Sequence, residues 1–151
     1  ELQYLYEDWI FKFEGITNSG VGRRYSAAVF GFEYTQVGIF ESRADLGWIL
    51  EYLFDDRKKT APHNFERDVF AGWRYAFNDA DSSEILTGII YDPQTNERIY
   101  SFEANKRIAN DLKVVLEARV FGGAGVDESP NRKTWFVQNE DYVQLELVKY
   151  F

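Results

Sequence analysis

Cysteine is absent from this 151-residue chain, which removes a disulfide framework, a thiolate zinc site and a cysteine nucleophile together. A single histidine, His63, rules out a multi-histidine metal site. Basic residues are the minority, 17 Lys and Arg against 25 Asp and Glu, and the net charge of -8 is opposite in sign to a nucleic-acid footprint. No DNA or RNA partner is expected. Nowhere does the sequence approach the run of about 20 apolar residues that a spanning helix needs. That excludes helical spans but not membrane barrels, whose alternating strands hide from hydropathy plots. Only three prolines occur, Pro62, Pro93 and Pro130.

What the chain does contain is apolar and aromatic. Hydrophobic residues make up 45% and aromatics 18%, so residues 1–151 are read as one folded domain and not as a disordered segment. Alternation with period two recurs between clusters of turn residues, and it predicts about eight strands. The clearest covers 45–54, with Leu46, Trp48, Leu50, Tyr52 and Phe54 on one parity. Others cover 68–77 (Val69, Trp73, Tyr75, Phe77), 112–121 (Leu112, Val114, Leu116) and 143–147 (Val143, Leu145, Leu147). Weaker patterns cover 3–14, 24–36, 83–92 and 98–107. A helical period also fits Leu46, Ile49, Leu50 and Leu53, and Ile108, Leu112, Val115 and Leu116, but it would scatter Trp48, Tyr52 and Phe54 around a polar side. The strand reading keeps them on one face.

The connections alternate in length. Segments 55–67 and 122–141 are long, 78–82 and 108–111 short, and all three prolines fall in the longer class. An up-and-down transmembrane β-barrel has this asymmetry, with short periplasmic turns and longer extracellular loops. Val37 to Ala44 is the awkward member, being apolar at Ile39 and Phe40.

Side-chain bulk decides which face meets which solvent. The apolar stripes carry so many large rings that the interior of an eight-stranded barrel would be overpacked by them. The expected lipid-facing set is therefore Trp48, Leu50, Tyr52, Trp73, Tyr75, Leu116 and Leu145. The opposite stripes carry Lys12, Glu14, Glu33, Arg107 and Lys113 besides Glu51, Arg74, Glu103, Glu117, Arg119 and Glu146. The last six are expected to form a lumen charge network at one level of the barrel, with Gly31, Gly47, Gly72 and Gly88 making room for it.

The ending Tyr142-Val-Gln-Leu-Glu-Leu-Val-Lys-Tyr-Phe151 alternates and closes on phenylalanine. It resembles the C-terminal strand of bacterial outer-membrane barrels, although Lys149 stands where the usual signature is apolar. The blocks ADLGWILEYLFDDR, FERDVFAGWRYAFNDADSSEILTGIIYD and LKVVLEARVF are similar to outer-membrane proteins of Gram-negative bacteria. The likeness spans roughly residues 44–151. It implies a bacterial outer-membrane location, contact with outer-membrane lipid and lipopolysaccharide, and recognition of Phe151 by the barrel assembly machinery. It also implies that these strands belong to the C-terminal part of a longer barrel. No activity comes with it.

Chemistry-bearing constellations are sparse, and no catalytic, metal or cofactor site is expected. His63 falls in one long loop and Asp127 and Ser129 in another, so a lipid-modifying rim enzyme is an alternative that no residue spacing supports. Glycines at 18–22 and 122–125 lack the Lys and Ser/Thr of a phosphate loop. Asp55, Asp56, Arg57, Lys58 and Lys59 read as a solvated loop base that could meet lipopolysaccharide phosphates, and Asp79, Asp81 and Ser82 as turn residues, not a calcium loop. The expected role is structural, adhesive or passage of a narrow solute through a largely plugged lumen. The alternative from another class is a soluble lipocalin-like barrel, with the aromatic stripes lining a cavity for an apolar ligand.

Overall fold

The computed structural model describes residues 1–19, 22–58, 61, 65–123, 137 and 139–150. Nine strands follow in chain order: β1 (Leu2–Tyr6), β2 (Trp9–Asn18), β3 (Tyr25–Gln36), β4 (Asp45–Asp55), β5 (Arg67–Ala76), β6 (Glu84–Tyr91), β7 (Arg98–Ala109), β8 (Leu112–Gly122) and β9 (Tyr142–Lys149). All are antiparallel to their sequence neighbours, and the sheet order is the chain order from β1 to β9. The fold is an all-β up-and-down sheet. The helical alternative for Leu46–Leu53 and Ile108–Leu116 is not adopted, since these residues lie in β4, β7 and β8.

Nine strands replace the eight expected because 3–14 is a hairpin. Tyr6 pairs directly with Trp9, and Glu7 turns the chain with φ of 50°. The aromatic parity changes here from Tyr4 and Tyr6 to Trp9, Phe11 and Phe13, as a two-residue turn requires and a single strand forbids. The Asp8 carbonyl accepts the Thr35 N–H at 2.9 Å, which ties the turn to β3.

The joins between strands alternate between the two ends of the sheet, and the expected separation into short and long is only partial. Those of β1–β2, β3–β4, β5–β6 and β7–β8, at the short-turn end, have 2, 8, 7 and 2 residues, and those of β2–β3, β4–β5, β6–β7 and β8–β9, at the long-loop end, have 6, 11, 6 and 19. The apolar character of the 37–44 connection is explained at Ile39 and not at Phe40, which is 91% exposed. Ile39 and Ala44 are the buried hydrophobic residues among those described, at 5% and 4% exposure, joined by an Ile39 N–H to Ala44 carbonyl bond of 2.9 Å. Phe40 and Glu41 take left-handed backbone angles so that the chain reverses beneath the sheet. The Asp45 carboxylate accepts from Gly38 N–H at 3.0 Å and from Asn78 Nδ2 at 2.7 Å, clamping this turn to the next.

In that next turn, Asp79 acts as the turn residue expected of it, its carboxylate taking the Ser83 N–H at 2.8 Å. This backbone bond holds the Asp79 carboxyl below its ordinary value of 3.8. A lowered carboxyl pKa stabilises the fold above its ordinary value and loses that contribution as pH falls through the folded value. Asp79→Asn keeps the acceptor but not the proton linkage, so its acid-unfolding curve should be flatter than wild type below about pH 4. Identical acid limbs would show that the turn does not report on folding.

Candidate functional site

A single layer of sheet presents two faces, and the register shows how unlike they are. One row runs unbroken across all nine strands: Tyr6, Trp9, Tyr34, Trp48, Trp73, Thr87, Phe102, Ala118 and Val143. Leu50, Tyr52, Tyr75, Leu116 and Leu145 occupy neighbouring rows of the same face, with Leu116 directly opposite Leu145. Trp48, Leu50, Tyr52 and Leu145 are exposed, and Trp73, Tyr75 and Leu116 half-exposed. Ring pairs knit the first strands of this face, with Trp9 to Tyr34 centroids 4.7 Å apart and Trp9 to Phe32 5.4 Å.

The other face carries the charges. Every buried residue within a strand, namely Gly31, Glu33, Gly47, Asp55 and Asp68, belongs to this polar parity. None belongs to the aromatic one. Glu33 is the hub of a first cluster, with Arg74 Nη1 at 3.2 Å and Lys12 Nζ at 3.8 Å, while Arg74 Nε reaches Glu84 at 3.8 Å. Gly47 makes room for it, since a Cβ there would sit 3.1 Å from Glu33 Oε1. A second cluster centres on Arg119, whose Nε donates to Glu117 at 3.0 Å and whose Nη2 is 3.7 Å from Glu103. Tyr142 donates its hydroxyl to the same Glu117.

The six residues expected at one level lie on four successive rows. Arg74, Glu103 and Glu117 share one row, whereas Arg119, Glu51 and Glu146 each lie on another. Mid-strand position is a poor guide because each hairpin sets its own register. Glu51 packs on Gly31, whose Cβ would lie 2.7 Å from Glu51 Cγ, and neither Glu51 nor Glu146 makes an ion pair among the described residues. Glu33 and Glu84 hold Arg74 instead. Between the clusters, β6 presents Leu86, Gly88 and Ile90 on this face, and the Phe70 ring lies over Gly72 and Gly88. Those two glycines therefore accommodate a ring, not charges.

Glu103 and Glu117 face each other directly across β7 and β8, an unfavourable pairing that Arg119 relieves. The cluster is half-exposed, so screening keeps the effect small. Arg119→Leu should cost about 1 kcal/mol or less, and adding Glu103→Gln should recover most of it. A double-mutant cycle by thermal unfolding checks this; additive losses would mean that Arg119 acts through packing.

At the long-loop end, the segment expected to be a solvated loop base is solvated only in part: Asp56 and Lys58 are exposed, whereas Asp55 is not. Asp55 is 0% exposed and is gripped by Arg57, whose Nε donates to both carboxylate oxygens at 3.0 and 3.1 Å and whose backbone N–H adds a bond of 2.9 Å. The guanidinium stacks 3.7 Å above the Tyr25 ring, and the Asp55 hydrogen bonds hold its pKa above the ordinary value. Arg57, its side chain 24% exposed, is committed to Asp55. Lys59, His63, Asp127, Ser129 and Phe151 lie outside the described residues. Among the described residues no group of three His, Cys, Asp or Glu could hold a metal ion.

No family model, no curated protein and no solved structure matches the chain.

Proposed function

We propose that this chain forms the wall of a bacterial outer-membrane β-barrel, with its aromatic face in lipid and its charged face toward an aqueous lumen. One observation carries the reading: burial is inverted. Acids and glycines are the enclosed strand residues, while Trp48, Leu50, Tyr52 and Leu145 are 39–66% exposed. The accessible surface of 10563 Å² exceeds by about a third the roughly 8,000 Å² of a water-soluble globule of this mass. Lipid is the solvent in which exposing these aromatic and aliphatic side chains costs nothing. Strands β2 to β9 run 8–12 residues, close to the 9–11 that a tilted strand needs to cross the hydrocarbon.

A lipocalin-like arrangement needs the rings enclosed and the charges outside, the reverse of this burial. The role that fits is passive, either structural or passage of a narrow solute along the charged face. Partners on this reading are outer-membrane lipid and lipopolysaccharide on the aromatic face, and the assembly machinery at the C-terminal strand.

Trp9, Trp48 and Trp73 share the aromatic face, and Trp135 lies outside the described residues. In a Trp135→Phe variant reconstituted into vesicles, phospholipids brominated on their acyl chains should quench most of the tryptophan emission. A protein that stays soluble without detergent and is not quenched would overturn the reading.

A further inference from the structure

Strand direction carries an inference that no single residue does. In an antiparallel meander alternate strands run the same way, so with nine strands β1 and β9 point in one direction, both from the long-loop end to the short-turn end. They stand at opposite edges of the sheet order and form no ladder with each other. Direct closure would need a parallel seam in an otherwise antiparallel wall.

Neither edge is fully protected. Exposed edges are blunted by shortness, lysine, proline, a bulge or an inward-pointing charge, and of these β1 has only its five-residue length and β9 only Glu146 and the terminal Lys149. Here β1 reads Leu-Gln-Tyr-Leu-Tyr, without charge or proline, and every residue in it is exposed. On β9, Val143, Leu145 and Leu147 are 75%, 66% and 64% exposed, and the one lysine, Lys149, sits at the end beside Asp111 at 3.8 Å. Glu146, on the polar face between Leu145 and Leu147, makes no ion pair among the described residues.

We propose that the free edges of β1 and β9 bind an odd number of further strands, contributed by polypeptide other than a copy of this chain, that complete the wall. The strand beside β9 runs antiparallel to it, alternates apolar and polar residues over about eight positions, and sets a Lys or Arg near Glu146. A second copy does not fit. Copies inserted with their long loops on one side of a membrane present β1 and β9 edges running the same way, so every junction between them is again parallel. This exclusion rests on the membrane reading, whereas the strand-direction argument does not.

The cysteine-free sequence makes the test clean. Cysteine pairs are introduced combining Leu2, Tyr4 or Tyr6 with Val143, Leu145 or Leu147, and the protein is oxidised in the membranes in which it is made. A disulfide needs Cα atoms about 4.4–6.8 Å apart, whereas one intervening strand holds β1 and β9 roughly 9.5 Å apart. No intrachain or copy-to-copy disulfide is expected from any of the nine pairs. An intrachain disulfide would mean direct closure, and a disulfide between copies would mean self-assembly; either overturns the proposal while leaving tryptophan quenching by lipid intact. Backbone hydrogen exchange on the same material gives the second arm. Edge amides of β1 and β9 should be protected as well as those of β4 and β5, and exchange at the rate of uncovered strands would equally overturn the proposal.

Discussion

Leu50→Arg should sharply reduce the yield of folded protein in lipid, by an amount equivalent to roughly 2–4 kcal/mol, the range for a cation on the lipid face near the midplane. Leu50 sits in the row Phe11, Phe32, Leu50, Ala71, Ile89 and Tyr100, flanked by apolar residues on every side of the aromatic face. Were that face in water, the same change at a 39%-exposed position would fall within about 0.5 kcal/mol, since surface substitutions away from special features usually do. The magnitude therefore reports the solvent. Trp73→Arg should behave like Leu50→Arg. Gln144→Arg is the control, because it lies on the polar face directly opposite Glu117, where a new cation finds carboxylates. Urea titration of the folded fraction in vesicles, scored by the gel shift between heated and unheated samples, measures all three. Greater tolerance at Leu50 than at Gln144 would exchange the two faces and favour a soluble barrel.

Periodicity made most of this architecture legible, and register did not. Seven strands, from β3 to β9, were readable within a few residues because one face of each is apolar and turn residues bound them. The β1–β2 hairpin escaped because its turn is Glu7-Asp8, where Glu7 takes the positive φ that glycine or asparagine ordinarily marks. The signal that could have found it is the change of aromatic parity between Tyr6 and Trp9. Which residues share a face was equally legible, since side chains alternate whatever their neighbours do. The ion pairs were not. Glu33 and Arg74 are 41 residues apart and meet only because β3, β4 and β5 align Thr35, Gly47 and Arg74 in one row, with Glu33 reaching across Gly47 from the next. Asp55 was misread for another reason. Its neighbours in sequence are charged, but its bonding partner, Arg57, folds back over it beneath the Tyr25 ring.

Gly72→Val should destabilise the protein by about 3 kcal/mol or more, the range of overpacking against groups that cannot move. Gly72 and Gly88 face each other across β5 and β6, and the Phe70 ring covers both. A Cβ on Gly72 would lie 2.6 Å from the Thr87 carbonyl oxygen and 3.2 Å from Gly88 Cα, both backbone atoms held within the sheet, with Phe70 Cζ at 2.8 Å between them in distance. On Gly88 the nearest atoms are Phe70 Cε2 and Cζ at 2.5 and 2.7 Å, the far edge of a side chain, with the Ala71 carbonyl oxygen at 2.9 Å. The two positions should therefore answer differently to removal of the ring. Phe70→Ala should recover a large part of the loss caused by Gly88→Ala and very little of that caused by Gly72→Val. Both double mutants are compared with their single mutants by urea unfolding in detergent. Equal rescue at the two sites would mean that the ring, and not the β5–β6 backbone, sets the limit.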